Sequence, residues 1–298
     1  MNAEQFIESI DQLPQLPQAV IRLTQRMEDP DVSADDLAEI IRIDPNLTAQ
    51  MLRLCNSAAY GLSRKIDTVK DAVAILGFNT LKSMAYTIIS HLSLKRDLPG
   101  YFLKSGDLWL HGVTGAFYAR HIAQKHLPKP QKLDPELAFT AALLRDIGKI
   151  VLANQVGTNY AVIDRYAAHH QVGFDEAEKE IIGVSHTEVG MAIARKWQLP
   201  ERMVLVIGYH HNPENIPAET PDSDKRLLAC VHLADGLATL LGNGIGGDGM
   251  MYQLHYPSII EAGLALDKGL LEVLMSELID LQSQIETLTA SIHLPPKP

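Results

Sequence analysis

The sequence has only two cysteines, few aromatic residues (6%) and fewer basic than acidic side chains. Cys55 and Cys230 both fall in apolar helical patterns, which predicts two buried thiols rather than a disulfide, and a reducing, cytoplasmic location. A formal net charge of −10 disfavours a nucleic-acid partner, because phosphate binding needs concentrated lysine and arginine. The N-terminus is acidic where a signal peptide would be basic, and no apolar run is long enough to cross a bilayer, so no membrane association is expected.

Strand-like alternation of apolar and polar residues is also scarce, and nearly every segment has the periodicity of an α-helix. Several helix boundaries follow from capping patterns: Asp134 precedes a proline at the first helical position, and Gly77 stands where a helix should end. The apolar helix in "FTAALLRDIGKIVL", residues 139–152, is predicted to stop at the pair Gly148-Lys149. The fold class is therefore predicted to be all-α.

With 298 residues, of which 46% are hydrophobic, the chain can bury a large core. We predict an N-terminal helical half over residues 1–95, a second helical core over 101–241 and a C-terminal helical extension over 250–298. The stretch "KRDLPG", 95–100, is the predicted joint between the first two. The glycine-rich run "GNGIGGDG", 242–249, lacks the preceding strand and the following Gly-Lys-Ser/Thr of a phosphate-binding loop, so it is interpreted as a flexible connection.

The C-terminal extension is predicted to contain one long helix over residues 267–292. Its apolar residues alternate three and four apart, which is a heptad-like seam formed by Leu271, Leu274, Leu278, Leu281, Ile285 and Leu288. Two interpretations remain open. The helix either docks on its own domain or offers a surface for a partner or for self-association.

Histidines and aspartates of the second half have spacings that suit a metal site. Asp107 and His111 lie four residues apart, so both project from one face of a helix. Asp235 sits inside an apolar helix, where a solvated face is not its obvious neighbour. Neutral imidazoles and carboxylates together suit a divalent transition metal that activates water, as in metal sites built in the cores of helical bundles.

The ordered motifs are Asp-x3-His, Asp-Ile-Gly-Lys, Ser-His-Thr-Glu-x-Gly, Tyr-His-His and His-Leu-Ala-Asp. This set resembles the HD superfamily of metal-dependent phosphohydrolases, whose signature is a His-Asp pair in such a context. The first half, from "LPQLPQAVIRLTQRMEDPDVSADDLAEIIRIDPNLTAQMLRLCNSAAYG" to "IDTVKDAVAILGFNTLKSMAY", resembles the HDOD family, the HD-related output domain. The resemblance covers residues 13–213. It implies a bacterial, all-α module with an HD-like core, associated with signal transduction rather than with an established catalytic reaction.

The resemblance also implies a vestigial or partial metal site. His111 matches the family's first histidine, Asp146 the aspartate of the His-Asp pair, and Asp235 the closing aspartate. The cyclic-dinucleotide-hydrolysing branch called HD-GYP supplies matches for a first carboxylate and three further histidines. The full set is Asp107, His111, Asp146, His186, His210, His211 and Asp235. Two departures stand out: Arg145 occupies the position of the pair's histidine, and no Gly-Tyr-Pro follows His211.

Arg145 is predicted to disable the site. A guanidinium has no acceptor lone pair and stays protonated at ordinary pH, so it cannot replace a histidine ligand. Burying carboxylates without a counter-charge costs several kcal/mol per ion. We therefore predict that Arg145 pairs with Asp107, Asp146 and Asp235 and preserves the helix packing without a metal. The alternative is a partial site that holds one divalent ion (Fe, Mn, Ni or Zn), with Arg145 turned outward or aimed at a phosphate.

These considerations favour a non-catalytic signalling module, a degenerate phosphohydrolase that binds a protein or a small effector and needs no cofactor. The alternative is a metal-dependent phosphohydrolase acting on a nucleotide or another phosphoester. In that case Asp146 would hold the ion and Lys149 would lie near a substrate phosphate.

Overall fold

The computed structural model describes residues 6, 26, 32–42, 45–62, 64–94, 96–128, 133–242, 246–247, 253–264 and 267–293. Regular structure in these ranges is helical, with one isolated bridge between Leu98 and Leu103 and no strand, so the all-α prediction is confirmed. Most of the glycine-rich run at 242–249 lies outside these ranges. None of the described helices combines the length and the apolar character needed to cross a membrane.

The described part of the N-terminal half contains four α-helices with defined bounds. They are α1 (Ala34–Arg42), α2 (Pro45–Cys55), α3 (Val69–Leu76) and α4 (Phe78–Leu94). Helix α3 ends at Gly77, which has φ +81, a backbone conformation that glycine adopts without a Cβ penalty. Each of these four helices buries one face in the core, and α4 also packs against a helix of the second half.

Ten further α-helices are described in the second half and the extension. They are α5 (Asp107–Lys125), α6 (Pro135–Leu144), α7 (Lys149–His170), α8 (Phe174–Ile182), α9 (His186–Lys196), α10 (Glu201–Tyr209), α11 (Asp222–Leu240), α12 (Tyr256–Glu261), α13 (Lys268–Asp280) and α14 (Gln282–His293). Helix α5 packs on both α6 and α11, α7 packs on α8, and α9 packs on α10. Because α4 packs on α6, the core of the first half is continuous with that of the second.

Helices α5, α6 and α11 are apolar on nearly every face and lie at the centre of the chain, as expected for helices surrounded by others. Cys230 on α11 and Cys55 on α2 are buried free thiols, as predicted. Burial raises the pKa of Cys55 to about 11 and that of Cys230 to about 12, so both remain protonated and unreactive near neutral pH.

The predicted stop at Gly148-Lys149 is wrong. Helix α6, capped by Asp134 as predicted, already ends at Leu144, and residues 145–148 form a turn into α7. A Cβ on Gly148 would lie 1.8 Å from the carbonyl oxygen of His186. Gly148 therefore marks the close approach of the start of α7 to the start of α9, and not the end of α6.

The predicted single helix over 267–292 is broken at Leu281 into α13 and α14. Most of its seam is buried against the chain itself, since Leu274, Leu278, Ile285 and Leu288 are at most 1% exposed. Helix α14 packs against α2 and α5, which matches the interpretation of a segment docked on its own domain. Association through this segment stays a prediction, and it would have to use the other residues of α13 and α14.

Candidate functional site

Six of the seven predicted site residues converge where the central helices meet. His111 comes from the second turn of α5 and Asp235 from the middle of α11, while Asp146 lies in the turn between α6 and α7. The other three histidines lie at helix ends. His186 is the first residue of α9, fixed there by a capping box between Ser185 and Glu188, and His210-His211 follow the last residue of α10.

Asp107 does not join the other six. Its carboxylate accepts a hydrogen bond of 2.8 Å from the backbone N–H of Lys104 and so closes the turn before α5. The spacing of four residues does place Asp107 and His111 on one face of the helix. However, Asp107 lies in its first turn and is bound to the preceding loop, so the prediction that it pairs with Arg145 is wrong.

Arg145 is fully buried (0% exposed) between the two remaining aspartates. Its Nε donates to Asp235 Oδ1 at 2.7 Å and lies 3.4 Å from Asp146 Oδ2. Its Nη1 donates to the carbonyl oxygen of Ala142 at 2.6 Å. On the other side of Asp235, His111 Nε2 lies 3.0 Å from the same carboxylate oxygen. The guanidinium thus points into the site and contacts the carboxylates that a metal would otherwise bridge.

The two buried aspartates stay ionised because organic cations surround them. Burial alone raises the pKa of Asp146, but Lys149 and Arg145 outweigh it and hold that pKa well below 3.8. Burial likewise raises the pKa of Asp235, and Arg145 with His111 reverses the effect. Lys149 is itself buried, with its Nζ 2.8 Å from Asp146 Oδ1. Lys149 therefore faces this carboxylate, and a position beside a substrate phosphate stays a prediction.

Gly115 on α5 provides the space for the guanidinium. A Cβ at this position would lie 2.6 Å from Arg145 Nη1 and 3.1 Å from its Cζ. The guanidinium cannot withdraw, because Asp235 and the carbonyl of Ala142 hold it in place. A glycine inside a long helix is unfavourable by roughly 1 kcal/mol relative to alanine. The presence of Gly115 was therefore a weak signal in the sequence that this position needs space for a neighbouring group.

We expect Gly115→Ala to destabilise the protein by about 1–3 kcal/mol, since overpacking against a fixed side chain outweighs the gain in helix propensity. Chemical denaturation monitored by circular dichroism measures the effect. Gly269→Ala in the first turn of α13 is the matched control, because its Cβ would meet only the side chain of Asp267, at 3.3 Å. In an Arg145→Met background the cost of Gly115→Ala should largely disappear, and an unchanged cost would contradict the assigned contact.

A second, histidine-rich group lies on the other side of Asp146. His186 Nε2 and His210 Nε2 each lie 3.7 Å from Asp146 Oδ1, and His186 Nε2 lies 3.1 Å from His211 Nε2. One ligand atom from each of these four residues falls within 4.8 Å of the others. Both oxygens of Asp146 and His210 Nε2 are buried and form no well-aligned hydrogen bond with the described residues, although the Lys149 ammonium makes an ion pair with Asp146 Oδ1. Three imidazoles and one carboxylate suit a single divalent transition metal, so the group could hold one.

Glu178 on α8 orients His186 and was not predicted. Its Oε2 accepts a hydrogen bond of 2.7 Å from the backbone N–H of His186 and lies 2.7 Å from Nδ1 of the same residue. Tyr101 donates its hydroxyl to Glu178 Oε1 at 2.7 Å. Burial lowers the pKa of His186, but the Glu178 carboxylate outweighs this and raises it. A proton on Nδ1, assigned from this network, leaves Nε2 directed at the site.

The site opens to solvent beside His211. An open cavity borders it, lined by Gln171, Asp175, His186, His211, Asn212 and His255 among others. Burial and the neighbouring His210 and His186 hold the pKa of His211 well below 6.5, so its imidazole is neutral near pH 7. A small molecule entering this cavity would meet a neutral imidazole first, and Asp146 lies behind it.

Comparisons with known proteins agree with this architecture. The family model of the HDOD domain matches residues 13–213. An HDOD domain protein of unknown function from Geobacter sulfurreducens has a similar structure, with TM-score 0.75 and 28% identity over 99% of this chain and 97% of that one. A candidate phosphohydrolase from Shewanella amazonensis SB2B matches with TM-score 0.70 and 25% identity over 96% and 97% of the two chains.

A sequence relative extends the comparison. An uncharacterised protein of Treponema pallidum (strain Nichols) is 25% identical over 222 residues, which is 73% of this chain. The chain spans 41% of the length of that curated relative. The family model covers more than half of the chain and includes the turn of Arg145 and Asp146 and the histidines of α9 and α10. The chain belongs to the HDOD family.

Proposed function

We propose that this chain is a non-catalytic signal-transduction module that acts by binding a protein or a small effector. The observation that carries the proposal is the buried guanidinium of Arg145, bonded to Asp235 and close to Asp146. The guanidinium supplies the positive charge that the two buried carboxylates need. Unlike a metal ion, it offers no coordination position to a substrate or to water.

Arg145 excludes an ion from the Asp235 side of the site. A metal bridging Asp146, Asp235 and His111 would have to sit where the guanidinium already contacts both carboxylates. Two cations at that separation in a buried site repel strongly, and Arg145 cannot be neutralised by deprotonation. The Asp235 side of the site is therefore architectural, and a binuclear centre does not fit it.

The cavity beside His211 is the proposed place for a small effector. Much of its lining is polar: Asn212 donates to Asp175 Oδ2 at 2.7 Å, and His255 also lines the cavity. Burial raises the pKa of Asp175. An effector with both donor and acceptor groups would suit these side chains, and a protein partner would use the rim of the same opening.

A specific observation favours a second candidate, a metal-dependent phosphohydrolase with a partial site. Asp146, His186, His210 and His211 fit one ion, and the buried oxygens of Asp146 and Nε2 of His210, which form no well-aligned hydrogen bond with the described residues, are the kind of atoms that an ion would satisfy. Bound there, a divalent ion would polarise a phosphoester and lower the pKa of a water ligand. The similar Shewanella protein carries the description of a phosphohydrolase, which is a statement about that protein alone.

Metal analysis combined with a turnover assay tests the proposal. Protein purified without chelators or metal-affinity resin is analysed by inductively coupled plasma mass spectrometry, and hydrolysis of bis-p-nitrophenyl phosphate is followed with added Mn²⁺, Fe²⁺, Ni²⁺ or Zn²⁺. We expect no turnover above that of an Asp146→Asn control, with or without a bound ion. Turnover that needs the metal and disappears in Asp146→Asn would replace the proposal by the phosphohydrolase.

A further inference from the structure

We propose that His121, His126 and Glu277 form a second, independent zinc site, which fastens the C-terminal extension to helix α5. His121 lies in the last turn of α5 and His126 directly follows that helix, while Glu277 lies in the third turn of α13. None of the three belongs to the Asp146 group or the Asp235 group. His121 is ten residues beyond His111 along α5, which is about 15 Å at the rise of an α-helix.

The three side chains already point at one another. Glu277 Oε2 lies 2.8 Å from His121 Nε2 and 2.6 Å from His126 Nε2. The two imidazole rings have centroids 5.8 Å apart and are tilted by 45°. One ligand atom from each residue lies within 4.8 Å of the other two. Two imidazole nitrogens thus lie close to one carboxylate oxygen. A metal site requires such a convergence of ligand atoms before the ion binds.

The distances suit zinc after a small expansion. With Zn–N and Zn–O bonds of about 2.0–2.2 Å in a tetrahedron, neighbouring ligand atoms stand roughly 3.3 Å apart. The carboxylate oxygen lies 2.8 Å from His121 Nε2 and 2.6 Å from His126 Nε2, so these two pairs need to open by about 0.5 Å and about 0.7 Å. Side-chain rotations supply such a shift without moving either helix. Two imidazoles with one carboxylate form a ligand set that zinc takes in proteins, with a fourth position left to water.

The surroundings leave room for that water. A cavity opens beside His121 and Glu277, and the polar side chains of Gln124, Asp280 and Gln284 also line it. Two cations border this cavity. Arg120 Nη1 lies 3.6 Å from Glu136 Oε1 and so has its own counter-charge, whereas Lys125 Nζ lies 3.6 Å from Glu277 Oε1. The Lys125 side chain is 55% exposed and long enough to turn into solvent. Asp280 adds a negative charge at the cavity and offsets it.

The sequence spacing conceals the site. Residues 121 and 126 are five apart, which does not place two side chains on one face of a helix. His126 occupies the C-cap of α5, with φ −109 and ψ −13, and its ring therefore lies beside that of His121. Glu277 is 156 residues beyond His121, and nothing in the local sequence links the two.

Zinc titration tests the site on the full chain. Binding of Zn²⁺ is measured by isothermal titration calorimetry for the wild type, for Glu277→Gln and for His126→Asn, with circular dichroism as a check of folding. We expect each variant to bind one equivalent of Zn²⁺ fewer than the wild type. The matched control is His169→Asn/His170→Asn, which removes two exposed histidines at the end of α7 and should leave the stoichiometry unchanged.

A second measurement needs no variant. Hydrogen exchange followed by mass spectrometry should show that Zn²⁺ slows exchange in residues 268–280 and 119–126 of the wild type, because the ion joins these two helices.

A third variant, Glu277→His, replaces the carboxylate by another zinc ligand. In the calorimetric titration we expect it to bind as many equivalents of Zn²⁺ as the wild type. Equal stoichiometry in wild type and Glu277→Gln, or no protection of α13 by Zn²⁺, would overturn the assignment. The variants in these experiments leave the residues of the central site unchanged. A failure of the proposed function would therefore not alter the difference in zinc binding between the wild type and the variants.

Discussion

Arg145→Met is expected to lower the free energy of unfolding by about 3–5 kcal/mol, which is the usual cost of removing one partner of a buried ion pair. Methionine has a similar length and packs well among apolar helices, so lost volume contributes little. The loss arises because Asp235 remains buried with His111 Nε2 3.0 Å away, and because, among the described residues, Asp146 keeps only Lys149 as a close permanent cation.

Urea denaturation of the wild type and of Arg145→Met measures this loss at pH 7. The control is Arg195→Met, since Arg195 lies 3.8 Å from Glu201 at the surface and an exposed pair contributes at most about 1 kcal/mol. Adding Asp235→Asn to Arg145→Met should recover part of the stability, because a neutral amide does not need the counter-charge. A loss below 1 kcal/mol in Arg145→Met would show that the guanidinium does not neutralise the site.

The effect of Arg145→Met also depends on pH. The folded pKa values of Asp146 and Asp235 lie well below the usual 3.8. A depressed carboxylate pKa contributes stability that is fully present above the unfolded value and is lost as the pH falls through the folded value. The wild type should therefore lose stability below about pH 4. In Arg145→Met protonation of Asp235 relieves an uncompensated charge, so the difference between the two proteins should shrink as the pH falls.

Much of the fold follows from local sequence, and much of the site does not. The all-α class, the cap at Asp134 and the helix end at Gly77 depend on periodicity and on residues a few positions apart. The position of Arg145 between two aspartates followed from electrostatics, since buried carboxylates need a counter-charge. Glu178 escaped prediction because the segment 174–182 has the pattern of an ordinary surface helix. Only the tertiary fold directs the Glu178 carboxylate inward, to His186 and Tyr101.

The errors have physical causes of the same kind. Asp107 was expected in the site because its spacing to His111 fits one helix face, but a local backbone N–H from Lys104 captures its carboxylate first. The break at Leu281 separates two helices whose apolar seam looked continuous in sequence. The seam describes which residues are buried, and it does not specify whether one helix or two carry them.

Arg145→His is expected to give the protein at least one additional equivalent of bound Mn²⁺ or Fe²⁺. The substitution removes the fixed cation from between Asp146 and Asp235 and returns a neutral imidazole to a position where His111 already lies 3.0 Å from Asp235. An imidazole is smaller than the guanidinium, so the space beside Gly115 accommodates it. Two histidines and two aspartates then face one position, which is a ligand set for a divalent transition metal.

Arg145→Gln separates the two roles of the arginine in this experiment. It removes the positive charge as Arg145→His does, but an amide is a poor ligand for a transition metal. Equilibrium dialysis followed by elemental analysis should therefore show metal uptake in Arg145→His that exceeds both the wild type and Arg145→Gln. If Arg145→Gln gains as much metal as Arg145→His, charge alone excludes the ion and the missing ligand is irrelevant. If neither variant gains any metal, Arg145 is not the residue that prevents an ion from binding between Asp146 and Asp235, and the proposed role of Arg145 is wrong.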